Sequence, residues 1–100
     1  MDGAFSEYSI LPAVCAWKLD PSISYEIGAT MEPFGIGVHA MSKTKPAGKK
    51  VIIFGCGPIG LGMVLWAVDR GCDVVALDLA PERRARAQAL GARAVLDPTA

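Results

Sequence analysis

Apolar and polar residues come in short alternating blocks through the second half of the chain. Val51-Ile52-Ile53-Phe54 is a run of four bulky apolar residues, which predicts a short strand buried on both faces. Over residues 58–70, Ile59, Leu61, Met63, Val64, Leu65, Trp66 and Val68 surround most of a helical circumference. That pattern predicts a helix held between a sheet and a second layer. Pro58 suits its first position, where an N–H would have no intrahelical partner, and Gly71 suits the position after its C-cap. Asp73-Val74-Val75-Ala76-Leu77 predicts a second strand. Pro81 opens a further helix to Leu90, closed by Gly91, with Ala85 and Ala89 spaced to face the sheet and Arg83, Arg84 and Arg86 on other faces. Ala94-Val95-Leu96 predicts a third strand before Asp97-Pro98. The order βαβαβ is the first half of a doubly wound, Rossmann-type parallel sheet, an α/β fold.

The first half is less regular. Residues 4–14 mix aromatic and polar side chains like a strand with an exposed edge, with Phe5, Tyr8 and Ile10 as its packing residues and Pro12 as its end. Cys15 to Leu19 predicts another short extended piece, and Asp20-Pro21 a turn. Ser22 and Ser24 are candidate caps for a helix starting near Tyr25, weakened by Gly28. Pro33 biases Glu32 toward extended backbone and opens a second, glycine-bearing helix running to about Ser42. There Glu32 reads as a charge that favours a helix N-terminus, and His39 as a partly buried histidine with satisfied nitrogens. Lys43, Lys45, Lys49 and Lys50, around Pro46 and Gly48, form a solvated loop entering the first strand.

Composition narrows the function classes. Ten basic and ten acidic residues in a chain of 100 give a net charge of zero, so nothing points to a nucleic-acid partner. Cys15, Cys56 and Cys72 form no CxxC pair, and their odd number and scatter predict free thiols in a reducing compartment. The longest apolar stretch, Ile59 to Val68, is too short to span a bilayer, and Met1-Asp2-Gly3-Ala4 opens no secretory pattern. The expectation is a soluble cytoplasmic protein without a membrane partner.

The candidate chemistry lies where the first strand meets its helix. Gly55, Gly57 and Gly60 have G-x-G-x-x-G spacing. Gly55 permits a tight turn, Gly57 lets backbone approach a pyrophosphate, and Gly60 lets helix pack on strand. The helix beginning Pro58-Ile59-Gly60 turns unpaired N–H groups and its positive dipole end toward that anion. Asp78 ends the second strand, 18 residues beyond Gly60, where a carboxylate can accept both hydroxyls of an adenosine ribose. Arg83 reads either as a contact to that ribose or its adenine, or as a solvated helix charge.

Four stretches together carry a resemblance. They are Gly3-Ala4-Phe5-Ser6-Glu7-Tyr8, Met31-Glu32-Pro33-Phe34-Gly35 through His39, Gly55-Cys56-Gly57-Pro58-Ile59-Gly60, and Asp78 followed by Arg83 and Gly91-Ala92. In this order, over nearly the whole chain, they resemble the zinc-dependent medium-chain alcohol/polyol dehydrogenases, most of all the polyol, butanediol and threonine dehydrogenases. Flavin and S-adenosylmethionine proteins share the glycine turn but not the two N-terminal stretches.

The resemblance implies a division of the chain. Residues 1–42 would be the tail of a GroES-like catalytic domain with connecting helices, and residues 43–100 the first half of an NAD-binding domain. It implies NAD held by Gly55, Gly57, Pro58, Ile59, Gly60, Asp78 and Arg83. It also implies a catalytic zinc near Glu32, as ligand or as the group orienting a bound water. The family's zinc-binding cysteine and His-Glu pair match nothing in this chain. The parent is therefore expected to be a homo-oligomeric oxidoreductase passing hydride from a polyol, secondary alcohol or threonine-like substrate to NAD. The isolated chain is expected to be an inactive fragment, or at most a dinucleotide binder.

Overall fold

The computed structural model describes Gly3 and residues 5–100; Met1, Asp2 and Ala4, the last being the first residue of the predicted N-terminal strand, lie outside that set. A 3-10 turn, Ala13–Cys15, precedes α1 (Tyr25–Thr44), β1 (Lys50–Phe54), α2 (Pro58–Asp69), β2 (Asp73–Leu77), α3 (Pro81–Ala89) and β3 (Ala94–Leu96). The three strands form one parallel sheet in the order β1-β2-β3. Ile52 pairs with Val75, Phe54 with Leu77, and Leu77 in turn with Leu96. This is the predicted βαβαβ half-sheet.

Its helices end as their sequences dictate. Gly71 (φ +71°) and Gly91 (φ +102°) take left-handed backbone. In each case the two residues past the C-cap donate back into the last turn: Gly71 to Val68 and Cys72 to Ala67, Gly91 to Gln88 and Ala92 to Ala87. Both are Schellman closures. The core fills the space between sheet and helices: Ile53, Val74 and Ala76 from the strands, Val64 and Ala67 from α2, Ala87 from α3, and Met41 from α1.

Four expectations are corrected. Phe5, Tyr8 and Ile10 are fully exposed, and no strand precedes β1 among the described residues. A strand needs a ladder to pair with, and the sheet offers this segment none. Secondly, β1 is not buried on both faces. Ile53 is buried, but Ile52 and Phe54 are 61% and 78% exposed, because the helices pack on the face that carries Ile53, Val74 and Ala76. Thirdly, α3 turns Ala87 into the core and leaves Ala85 and Ala89 outside. Lastly, α1 is one continuous helix with Pro33 inside it. Glu32 is therefore helical and exposed rather than extended at a helix start, and His39 is exposed rather than partly buried. Ser24 does cap α1, its hydroxyl accepting from Ile27 N at 3.3 Å.

Packing explains how α1 runs through Pro33 despite the lost hydrogen bond. A Cβ on Gly37 would sit 3.0 Å from Ile59 O and 3.1 Å from Met63 N, and one on Gly62 would sit 3.2 Å from Phe34 Cα. The two helices thus cross backbone to backbone at a pair of glycines, and that contact holds α1 on the outer side of α2. Gly37→Ala is expected to cost about 1–3 kcal/mol, because backbone atoms cannot move aside as a side-chain tip can. Gly35, on the same helix, has nothing near its Cβ position, and Gly35→Ala is expected to gain about 0.5–1 kcal/mol from helix propensity. Urea unfolding of both variants checks the pair; equal midpoints would overturn the crossing as the cause.

Candidate functional site

The β1–α2 turn is built by its glycines. Gly55 adopts φ +93°, a conformation that an L side chain disfavours, and donates to Leu77 O at 2.7 Å. Cys56 turns inward and is wholly buried. Gly57 is the N-cap of α2, with Pro58 in the first turn. A Cβ on Gly57 would meet nothing within 4 Å, so one side of the turn is open. Gly60 is the opposite case: a Cβ there would lie 1.8 Å from Gly55 O. The first helical amide to find a backbone acceptor is Leu61, bonded to Gly57 O at 2.8 Å. Ile59 and Gly60, ahead of it in the first turn, are where a helix offers free N–H groups to an anion.

Asp78 lies beside this turn and is tied to it. Its Oδ2 accepts from Cys56 N at 2.7 Å and its Oδ1 from Ala80 N at 2.8 Å. The side chain is only 8% exposed. These two amides, foremost that of Cys56, hold its carboxyl below the usual carboxylate range; burial opposes them, while the positive charges of Arg83 and Arg84 add to the effect. The group is therefore a carboxylate at neutral pH. Each oxygen has used one acceptor direction and retains another. Arg83 Nη1 stands 3.8 Å from Oδ2, with its side chain about half exposed. Gly55, Leu77, Asp78, Ala80, Arg83 and Pro98 help to line a cavity of about 480 Å³. Two larger hollows, of about 650 and 600 Å³, lie along residues 19–29 and between α1 and α2, and neither includes Asp78 or Arg83.

Arg84, for which the sequence predicts only a place off the sheet-facing side of α3, also reaches this region. Its Nη1 donates to Asp78 O at 2.7 Å and Leu79 O at 2.8 Å, and pairs with Asp97 Oδ2 at 3.1 Å. No local signal in the sequence marks this role. Ala80, the N-cap of α3, offers the helix no side-chain acceptor, which leaves amides rather than carbonyls without partners, and the acceptors of Arg84 lie in two separate turns.

The thiol of Cys56 is shifted too. Burial raises its pKa above the ordinary value, the Asp78 charge raises it further, and Arg83 partly opposes. Cys15 is exposed and Cys72 half-buried. Iodoacetamide at pH 8 is expected to alkylate Cys15 first and to reach Cys56 only when the chain opens, because the thiolate is the reacting form. Mass spectrometry of timed samples checks the order; Cys56 labelled as fast as Cys15 would contradict it.

Glu32 lies apart from all this on the exposed surface of α1. Among the described residues no three His, Cys, Asp or Glu side chains come together as metal ligands. The structure thus brings together Gly55, Gly57, Gly60, Asp78 and Arg83 from the sequence-predicted set, with Pro58 and Ile59 opening α2 beside them.

Comparison with known proteins follows the same pattern. No family model matches the chain. It is 40% identical over 99 residues to (R,R)-butanediol dehydrogenase of Bacillus subtilis strain 168, covering 97% of this chain and 28% of that one. An alcohol dehydrogenase of Escherichia coli CFT073, solved in complex with NADH, superposes with a TM-score of 0.89 at 31% identity, covering 98% of this chain and 30% of that chain. Galactitol-1-phosphate dehydrogenase of Escherichia coli gives a TM-score of 0.86 at 34% identity, covering 98% and 29%. The chain spans between a quarter and a third of the length of these relatives. In sequence and in backbone the chain is thus similar to one portion of the longer medium-chain zinc alcohol/polyol dehydrogenases.

Proposed function

We propose that this chain supplies the adenosine half of a dinucleotide site, for NAD rather than NADP. We place that site in a parent oxidoreductase taking hydride from the CH–OH group of a polyol, secondary alcohol or threonine-like substrate. The observation that carries the reading is the meeting of two features. An open glycine turn with free helix-start amides, suited to a pyrophosphate, lies beside an ionised Asp78, suited to a ribose diol. NADH bound to the Escherichia coli CFT073 protein supports it. In this reading the amides of Ile59 and Gly60 bind the pyrophosphate, Gly57 gives it room, Asp78 accepts the ribose hydroxyls and Arg83 flanks the ribose or adenine. NAD held by these residues would supply the hydride acceptor.

Zinc is a different matter. Glu32 stands on an exposed helix face without converging partners among the described residues, and one carboxylate makes no zinc site. In this reading the zinc belongs to the parent enzyme, and the described residues of this chain do not supply its ligand set. The same reading divides the chain near residue 42 and takes the parent as a homo-oligomer of the cytoplasm; among the described residues no helix is long and apolar enough to cross a membrane. That ligand shortage favours a second reading for the chain alone, in which it binds dinucleotide without turning it over.

Calorimetric titration of the chain with ADP-ribose is the test, with NADH as competitor. Saturable binding displaced by NADH is expected, and no saturable heat up to millimolar ligand would refute the site. Butanediol, sorbitol or threonine with NAD and zinc is expected to yield no NADH from the isolated chain; sustained turnover would refute the second reading.

A further inference from the structure

Arg84 occupies a position that its sequence context does not require. It sits in the first half of α3 and could have extended into water like Arg86, yet its side chain is only 20% exposed. One charged nitrogen serves three acceptors: the carbonyl of Asp78, the carbonyl of Leu79 and the carboxylate of Asp97. The first two belong to the β2–α3 turn, whose next residue, Ala80, donates to the Asp78 carboxylate. Asp97 belongs to the loop after β3, where its other oxygen is engaged by the backbone and hydroxyl of Thr99. Its neighbour Pro98 lines the cavity that Asp78 opens into. Arg84 therefore ties together two walls of that cavity from behind, without lining it.

Besides the bonds of the Asp78 carboxylate to the Cys56 and Ala80 amides, and of the Arg83 and Arg84 amides to Ala80 O, the turn has few anchors. Leu79 is 64% exposed and gives it no apolar anchor, and the bond from Asp78 N to Leu96 O is long at 3.3 Å. A partly exposed ion pair contributes little by itself. Hydrogen bonds from a charged donor to two adjacent carbonyls are stronger than neutral ones and fix direction. The carboxylate of Asp78 leaves a backbone whose carbonyl is held in this way.

We propose that Arg84 is a positioning residue for the adenosine end of the site, fixing the aim of Asp78 by joining the β2–α3 turn to the Asp97–Pro98 loop. The proposal rests on the dinucleotide reading for its functional meaning, but its structural core can be tested without ligand.

The test uses the full chain, with Arg84→Ala, Arg84→Lys, Asp97→Asn and, as a charge control on the exposed side of the same helix, Arg86→Ala. Two quantities are read: the ratio of affinities for ADP-ribose and 2′-phospho-ADP-ribose, and amide hydrogen exchange by NMR. Arg84→Ala is expected to lower the ratio about tenfold, the loss of one charge-assisted anchor, while Arg86→Ala leaves it unchanged. The amides of Cys56 and Ala80 are expected to exchange faster in Arg84→Ala, with Val64 and Ala67 in α2 unaffected. Weakening of both ligands in equal proportion with faster exchange throughout would show a merely structural role and overturn the proposal. So would an unchanged ratio with unchanged Cys56 and Ala80 exchange. If Arg84→Ala does not fold, Arg84→Lys and Asp97→Asn are read by the same two criteria. Should the wild-type chain bind neither ligand, the dinucleotide reading falls, and the exchange of Cys56 and Ala80 alone decides whether Arg84 holds Asp78.

Discussion

Gly60→Ala is expected to destabilise the chain by at least about 3 kcal/mol, the upper end for inserting a methyl group into packed structure. The added Cβ would fall 1.8 Å from Gly55 O, inside any van der Waals contact. Gly55 is itself constrained, being held by its bond to Leu77 O and its φ of +93°. Relief requires α2 to lift off β1, which would open the core around Val64 and Ile53. A domain of this size has about 5–15 kcal/mol in total, so the loss would be visible at once in a urea titration. Gly57→Ala is the matched comparison. Its backbone φ of −74° suits alanine and its Cβ position is open, so the fold is expected to stand. Binding of ADP-ribose is expected to fall at least tenfold, since the new methyl group stands where the pyrophosphate would approach. A Gly60→Ala midpoint within error of wild type would disprove the close packing of helix on strand. Undiminished binding by Gly57→Ala would move the pyrophosphate elsewhere.

Asp78 is expected to give a preference of about 10- to 100-fold for ADP-ribose over its 2′-phosphate, the order for one misplaced charge without its hydrogen bonds. Its carboxylate faces the cavity with acceptor capacity to spare, and a 2′-phosphate there would meet like charge in a partly dehydrated cleft. Arg83, 3.8 Å away, is the cation that limits the penalty. Asp78→Ala is expected to bring the two affinities together. Equal binding of both ligands by wild type would defeat the prediction, and an unchanged ratio in the variant would remove Asp78 as its source. The same carboxylate links stability to pH. Its pKa in the folded chain is lowered, first by the Cys56 and Ala80 amides. Its contribution is therefore complete above the ordinary carboxylate pKa and lost as pH falls through the lower, folded value. Melting temperatures at pH 7 and pH 3 should accordingly differ more for wild type than for Asp78→Ala.

Local signals made the second half of the fold legible. Gly55, Gly71 and Gly91 mark places where the chain needs positive φ, and Pro58 and Pro81 begin the helices they were expected to begin. What failed to show was decided by partners. Pro33 reads as a boundary, but backbone contact between α1 and α2 at Gly37 and Gly62 overrode it. Phe5, Tyr8 and Ile10 have the composition of a strand, and composition cannot supply a ladder. Ala85, Ala87 and Ala89 are equivalent as letters, and only packing distinguishes Ala87. In the site, the glycines and Asp78 were legible because their chemistry is local. Arg84 was not, because its three acceptors come from two separate turns.

The bond from Cys56 N to Asp78 has a consequence for how cofactor preference can drift. Removing the acid to admit a 2′-phosphate also strips the acceptor from a buried amide in the glycine turn. A lineage changing cofactor in one mutational step would thus incur a folding defect along with its new selectivity. Asparagine at position 78 is the easiest way through, since its carbonyl oxygen can still accept from Cys56, but its NH₂ group then confronts the donor at Ala80. A viable route would first provide a substitute acceptor near the turn and only then discard the charge, so the order of substitutions is constrained by one shared carboxylate.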